Sequence, residues 1–420
     1  MMSRYIWHLR ETLKKIWVRV VSFALLALLA AGFARVLSPY LPEALALQTG
    51  SQAVSQLLGI LTSSMLAVTT FSLSIAVSAF ASAAGSATPR ATVLLQEDRT
   101  TQNVLATFLG AFLFGLVGLI ALHADFYETS GKVVVFLFTI VVIGLVVVAL
   151  IRWIGHLMQF GRMGDTLDRV EQAATDALTW RLDNPFLGGQ PLRAAPPDNA
   201  IVIRARDTGY LQHVDMRALQ ACAEDLGSTV FLRCLPGTFV AVGTPLAAVS
   251  AASLKEEQEA PLRNAFSIGV RRTFQEDPRF GVIVLTEIAS RALSPAVNDP
   301  GTAIDIIGRH VRILARWRLR EDAKVQFDRV HVPPIVLQDV IEDAFRPIAR
   351  DGAALSEVQI RLHKALAALH GSAPDIFGPA CMAMSREAIA RAEAASLLPA
   401  EIAAIRTVAP DRIGGDGPVP

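Results

Sequence analysis

Cysteine is scarce in this chain: three in 420 residues, Cys222, Cys234 and Cys381. An odd number confined to the C-terminal half makes a poor disulfide framework and fits a reducing compartment, with the thiols buried and structural. Cys222 and Cys234 have eleven residues between them and no second pair nearby, which is weak spacing for zinc. Charge is scarce too. Asp, Glu, Lys and Arg make up 18% of residues, the net charge is +1, and no dense basic tract closes the chain, so nothing points to nucleic acid. Catalytic signatures are missing as well. There is no G-x-S-x-G, no Walker A, no G-x-G-x-x-G at a strand–helix junction and no H-E-x-x-H. His213, His310, His331, His363 and His370 stand singly, without a partner at metal-ligand spacing. The expectation is a protein that is not an enzyme and carries no cofactor.

What the chain has is apolar sequence, 52% of residues, concentrated before residue 155. Its organising stretch is Gln56 to Gly85, QLLGILTSSMLAVTTFSLSIAVSAFASAAG, thirty residues without a charge. About 20 apolar residues cross the hydrocarbon as a helix. With three further apolar runs, four transmembrane helices are expected, over about 18–37, 56–85, 103–122 and 133–151. The first follows Arg4, Arg10, Lys14, Lys15 and Arg19; its length and the later spans favour a retained helix over a cleaved signal. Pro39 and Pro42 then break it. Arg90 and Arg99 separate the second and third spans, and Lys132, with Asp125 and Glu128, the third and fourth. Arg152 and Arg162 follow the fourth. Every basic cluster falls on one side if both termini are cytoplasmic.

Within the second span Thr70, Ser74, Ser78, Ser82 and Ser86 recur every four residues, on a face that winds around the helix. Two readings stay open: hydroxyls bonded back to their own helix at a tight interface, or a water-facing lining. Ala79, Ala83 and Ala87, then Ala106 and Gly110, then Gly115 and Gly118, are small enough to let helices approach. Spans two to four hold no Asp, Glu, Lys or Arg, which argues against a proton relay or an ion-coupled transporter. A passive pore stays open.

After this four-helix transmembrane domain, residues 1–163, the chain reads as a cytoplasmic α+β region. Residues 164–199 form an amphipathic stalk and linker. Leu167, Val170, Ala174, Ala177, Leu178 and Arg181 keep helical spacing as an extension of the fourth span, and NPFLGGQPLRAAPPDN is rich in Pro and Gly. Residues 200–250 form a small β-rich module. Its first strands, IVIRA and YLQHV, read as a hairpin about Asp207-Thr208-Gly209, and a short helix capped by Asp215 precedes STVFLRCL, TFVAVG and PLAAVS. Residues 251–410 are mainly helical, with helices over 280–293 and 302–319, a strand in AKVQFDRVHVP, and helices from Ile335, Leu355 and Ser385. Residues 411–420 read as a disordered tail.

Two segments, RATVLLQEDRTTQNVLATFLGAFLFGL from Arg90 and FQEDPRFGVIVLTEIASRALSPAVNDPGTA from Phe274, resemble bacterial predicted membrane proteins grouped as domain of unknown function 2254. The likeness spans residues 55–350, and RALSPAVNDPGTA is its most specific piece. It implies a membrane bundle with a cytoplasmic domain and brings no catalytic residues; the expected location of the chain is the bacterial inner membrane. In the loop of that piece Pro295 and Pro300 add stiffness, Asn298 or Asp299 caps the next helix, and Gly301 permits a tight entry. One reading is a structural joint; the other gathers Glu287, Asn298, Asp299 and Asp305 into a polar or cation-binding site. Arg271, Arg272, Glu276 and Asp277 read as ion pairs. The functional expectation is a homo-oligomeric pore or channel-like assembly in the lipid bilayer, gated by its cytoplasmic domain and passing an ion or small ligand. The alternative is a membrane-anchored sensor or scaffold whose cytoplasmic domain binds a ligand or a protein partner.

Overall fold

Backbone amides that leave water for lipid must bond within their own segment, and the apolar runs accordingly form helices. The computed structural model describes residues 16–37, 51–96, 98–126, 131–158, 160–317 and 325–410. Arg4, Arg10, Lys14, Lys15, Pro39, Pro42, Glu128, Leu319 and the tail 411–420 lie outside the described residues. The chain divides into two units, Met1–Thr166 and Leu167–Pro420.

The first unit is helical: α1 (Ile16–Leu37), α2 (Ser51–Ser86), the short α3 (Thr92–Gln96), α4 (Arg99–His123) and α5 (Gly131–Leu157). Among the described residues, three stretches are long and apolar enough to cross a membrane, Gln52–Gly85, Thr92–His123 and Gly131–Leu157. The apolar part of α1, Val20–Val36, is shorter. Helix α4 takes the centre, because α1, α2 and α5 all pack along it. Phe108 and Phe114 on α4 are fully buried among Leu58, Met65, Val142 and Trp153. Close approach needs small residues where lipid supplies no hydrophobic drive. A Cβ at Gly110 would strike the Phe23 ring, and one at Gly115 the Thr62 hydroxyl.

Helix α2 has 36 residues, about 54 Å at 1.5 Å per residue, well beyond a hydrocarbon core of about 30 Å. Its first half, at Val54, Leu58, Leu61 and Met65, joins the core around α4. Its second half packs Ala76 and Ala83 against Leu95 and Phe160.

Helix α6 (Met163–Asp183) carries the chain into the second unit, which begins at Leu167. The expected continuation of the fourth span into a stalk is corrected here. Helix α5 ends at Leu157, and Gly161 takes φ +76°, a left-handed turn that ends the run of helix. The amphipathic pattern itself is used: Leu167, Val170, Ala174, Ala177 and Leu178 are all buried. Residues 184–199 are not a free linker either. Pro185–Gly188 forms a tight turn in which Phe186, Leu187 and Gly188 all take positive φ, and Gly189–Pro191 forms strand β1.

Strands β2 (Ile201–Arg204), β3 (Gly209–Val214), β4 (Val230–Leu232), β5 (Phe239–Val240), β6 (Pro245–Val249), β7 (Phe266–Gly269) and β8 (Phe327–Val332) build two sheets, with α7 (Met216–Asp225) and α8 (Glu256–Asn264) beside them. One sheet has the order β1-β8-β4-β6-β2, with β8 parallel to both neighbours; the other is β5-β3-β7. The hairpin expected between β2 and β3 does not form. Strand β2 pairs with β6, and β3 with β5 and β7. The chain changes sheets just after Ala205, whose amide and carbonyl are both taken by the Gly243–Thr244 turn. The β module therefore reaches outside 200–250 for β1, β7 and β8, as a core of only about 50 residues requires.

Helices α9 (Pro278–Ala292), α10 (Pro300–Leu314), α11 (Leu337–Asp351), α12 (Ser356–Ser372), α13 (Pro374–Ala394) and α14 (Pro399–Thr407) complete the unit. Both α9 and α10 open on an Asp-Pro pair, the Asp side chain accepting from first-turn amides and the Pro filling a position that needs no donor. Helix α10 stops at Leu314, short of the expected 319, and α13 starts at Pro374 where Ser385 was expected.

Candidate functional site

The hydroxyl row of α2 faces away from the rest of its unit. Thr70, Ser74, Ser78 and Ser82 are exposed, whereas Ser72, Ala76 and Ala83 are buried on the other side. The Thr70 hydroxyl donates to the Leu66 carbonyl at 3.0 Å, the back-bond expected of a hydroxyl in a helix. Phe71, Leu73 and Val77 share the exposed side, so the face is mixed rather than uniformly polar. Among the described residues, this row takes no part in the packed core of the first unit.

The polar loop does not converge. Asp299 caps α10, with its Oδ1 accepting from the Thr302 amide at 3.0 Å and its Oδ2 from the Thr302 hydroxyl at 2.6 Å. The hydroxyl bond foremost, then the amide, hold its carboxyl below the usual range. Asn298 takes φ +50°, a left-handed position that Asn tolerates better than most residues. Asp305 belongs to the next turn, where its Oδ2 lies 2.8 Å from Arg309 Nε. Glu287 lines a cavity between α9 and α11 instead. Among the described residues no three His, Cys, Asp or Glu side chains gather as a metal site.

That cavity, of about 490 Å³, is lined by Thr286, Glu287, Ser290, Glu342, Asp343 and Arg346 among others. Thr286 connects it to the interior. Its hydroxyl lies 2.8 Å from the Asp343 carbonyl oxygen and 3.1 Å from His310 Nε2. With the hydroxyl proton given to a carbonyl, Nε2 is the donor, as in the neutral Nε2–H tautomer. Burial agrees, since His310 is fully enclosed and its pKa falls to about 3. Nearby, Arg309 ties three carboxylates together: Asp168 and Glu171 from α6, each at 2.7 Å, and Asp305.

Two further polar clusters take shape, the first of them beyond the reach of motif reading. In the first unit Asp98 caps α4 and also meets His156 near the end of α5, Oδ2 to Nε2 at 3.1 Å, with Thr101 Oγ1 3.3 Å from the same nitrogen. The signal available was the Asp98–Thr101 cap spacing alone. In the second unit Arg272 Nε pairs with Asp277 Oδ2 at 2.6 Å, and His213 Nδ1 meets Glu276 Oε1 at 2.5 Å. The expected ion pairing of this segment is present at Arg272 and Asp277. Arg181 lies buried at the end of α6 within the field of Glu276.

An uncharacterized protein of Mycobacterium bovis is 30% identical over 220 residues, which cover 50% of this chain and 42% of that protein. Two uncharacterized proteins of Mycobacterium tuberculosis match at the same identity and coverage. The matched part is thus less than half the length of these relatives. No solved structure matches the chain. The family model described as a predicted membrane protein, DUF2254, matches residues 14–368, and with most of its length so covered this chain belongs to that membrane-protein family.

Proposed function

We propose that this protein is a non-enzymatic, multi-pass protein of the bacterial inner membrane that assembles with copies of itself into a pore gated by its second unit. In this reading α1 is a fourth crossing helix, both termini are cytoplasmic, and Arg90, Arg99, Arg152 and Arg162 mark the cytoplasmic side. The observation that carries it is the outward hydroxyl face of α2. A row of hydroxyls pointing away from its own bundle lines water only where further copies close a ring around it. The test is purified full-length protein in planar bilayers, alone and as the Ser74→Leu, Ser78→Leu double variant. Conductance in the wild type and its loss in the variant are expected. A silent wild type, or a variant that conducts equally, overturns the reading.

A second reading, a membrane-anchored sensor or scaffold, draws on the cavity between α9 and α11, where charged groups of both signs meet Ser290 and Thr286. A stabilising small molecule found by thermal shift, and lost on Glu287→Ala, would favour it over the pore.

A further inference from the structure

Among the described residues of the second unit, Arg181 is a buried charged side chain that the packing leaves unbalanced. It keeps register with the buried face of α6 and is 4% exposed. Neither of its terminal nitrogens finds an acceptor among the described residues. A guanidinium stripped of water and left without a hydrogen-bonded partner is costly. Burial pulls its pKa down to about 10, against the field of Glu276, and it stays charged at neutral pH.

Glu276 is the carboxylate that acts on Arg181, yet it is engaged elsewhere. Its Oε1 lies 2.5 Å from Nδ1 of His213 on β3. Three neighbouring charged groups are committed elsewhere. Arg272 is bonded to Asp277, whose Oδ1 also accepts from the first amides of α9. Asp215, whose charge also reaches His213, caps α7 through the Ala218 amide.

We propose that Glu276 is a movable carboxylate shared between His213 and Arg181. With His213 protonated, Glu276 is held to β3. When His213 loses its proton, Glu276 turns to the buried guanidinium of α6. The segment between β7 and α9 is thereby anchored to the three-stranded sheet at low pH and to α6 at high pH. Two properties suit the pair to this role. The His213 side chain is 51% exposed, so its proton exchanges freely with solvent. The competing bond is to a charge that burial makes more demanding than a surface one. The Glu276 hydrogen bond raises the His213 pKa above 6.5, against the effect of burial, so the exchange falls above that value. The sign follows. A raised histidine pKa gives stabilisation that is complete below about 6.5 and lost as pH rises through the folded value, and the new Arg181 bond offsets that loss.

This device is independent of whether the first unit conducts. The test is apparent Tm of the full-length protein in detergent at about pH 5.5 and about pH 9, either side of an ordinary histidine. Arg181→Met, Glu276→Gln and the double variant are compared with wild type, then repeated on a His213→Gln background. At low pH Arg181→Met leaves Tm unchanged or raised, because it removes an unpaired buried charge, and the two substitutions add. At high pH Arg181→Met lowers Tm by about 2–6 °C and the two become non-additive. On the His213→Gln background the non-additivity no longer changes with pH. Equal non-additivity at both pH values in the wild-type background overturns the proposal. Should a variant fail to fold, hydrogen exchange of residues 270–277 in the wild type, corrected for intrinsic rates, decides the matter. A several-fold change in protection across the His213 titration supports the switch, and unchanged protection overturns it.

Discussion

Gly281 of α9 lies against Ala174 of α6, and replacing it measures how firmly α6 belongs to the second unit. A Cβ built there would lie 2.5 Å from the Ala174 Cβ, 2.7 Å from its Cα and 3.1 Å from its nitrogen. Two of those three atoms are backbone, so no rotamer change relieves the collision and one helix must move. Overpacking of this kind costs about 1–3 kcal/mol, and contacts with backbone favour the upper part of the range. Helix propensity works the other way, because Ala is preferred to Gly inside a helix by about 1 kcal/mol. Gly281→Ala should therefore destabilise by about 1–2 kcal/mol. At about 2–4 °C per kcal/mol for a unit of this size, the apparent Tm falls by about 2–8 °C. The assay is thermal unfolding of the full-length protein in detergent, followed by tryptophan fluorescence. Ala174→Gly on the same background removes the closest of the three contacts, so the double variant should lose less than the sum of the singles. An unchanged or raised Tm for Gly281→Ala would refute the reasoning, since propensity alone predicts a rise.

Asp299→Ala removes the cap of α10 and is expected to cost about 1 kcal/mol near neutral pH, read as a lower apparent Tm. Because the folded-state pKa of Asp299 is lowered, that difference is complete above about 3.9 and disappears as pH falls through the folded value. A difference that persists unchanged below that range would refute the cap assignment. His310→Leu addresses the other end of the acid range. His310 titrates at about 3 when folded, against 6.5 for an ordinary histidine. Its stabilisation by staying neutral is present above 6.5 and is lost as pH falls toward 3, on the order of a few kcal/mol at the lower limit. The variant should thus lose less stability than wild type between pH 6.5 and 3, and an equal loss in both would show that His310 is not a buried neutral group.

The membrane helices were legible because uninterrupted apolar composition depends on no distant partner. Helix α2 still starts at Ser51, before the apolar run, since Ser and Gln continue a helix that hydropathy does not count. The burial of α6 was legible too, in the spacing of Leu167, Val170, Ala174 and Ala177. Arg181 lay in that same register, but its relation to Glu276 joins residues 95 positions apart, which no local pattern expresses. The sheets failed for the same reason. Asp207-Thr208-Gly209 carries a good hairpin signal, yet β2 finds a better partner in β6, and β1 pairs with a strand that begins at Phe327. The polar loop depends on local partners instead. Asp299 and Asp305 look available in sequence, and each is taken up locally by Thr302 and by Arg309.

The α2 row shows why composition alone does not choose between the open readings. A serine or threonine bonded to the carbonyl four residues earlier carries little cost in lipid, so hydroxyls on an outward face are compatible with lipid, a second helix or water. What distinguishes the three is the response to volume. Replacing Ser74 and Ser78 by Ala removes the hydroxyls without adding bulk, whereas Leu adds bulk to the same face. A lipid-facing row tolerates both changes. A helix–helix interface tolerates Ala and loses its oligomer with Leu. A pore lining tolerates Ala as well, but with Leu it keeps its oligomer and loses conductance, because a constriction of apolar side chains dewets. Oligomeric state and conductance, measured on the same pair of variants, therefore separate an assembly that merely packs through α2 from one that conducts along it.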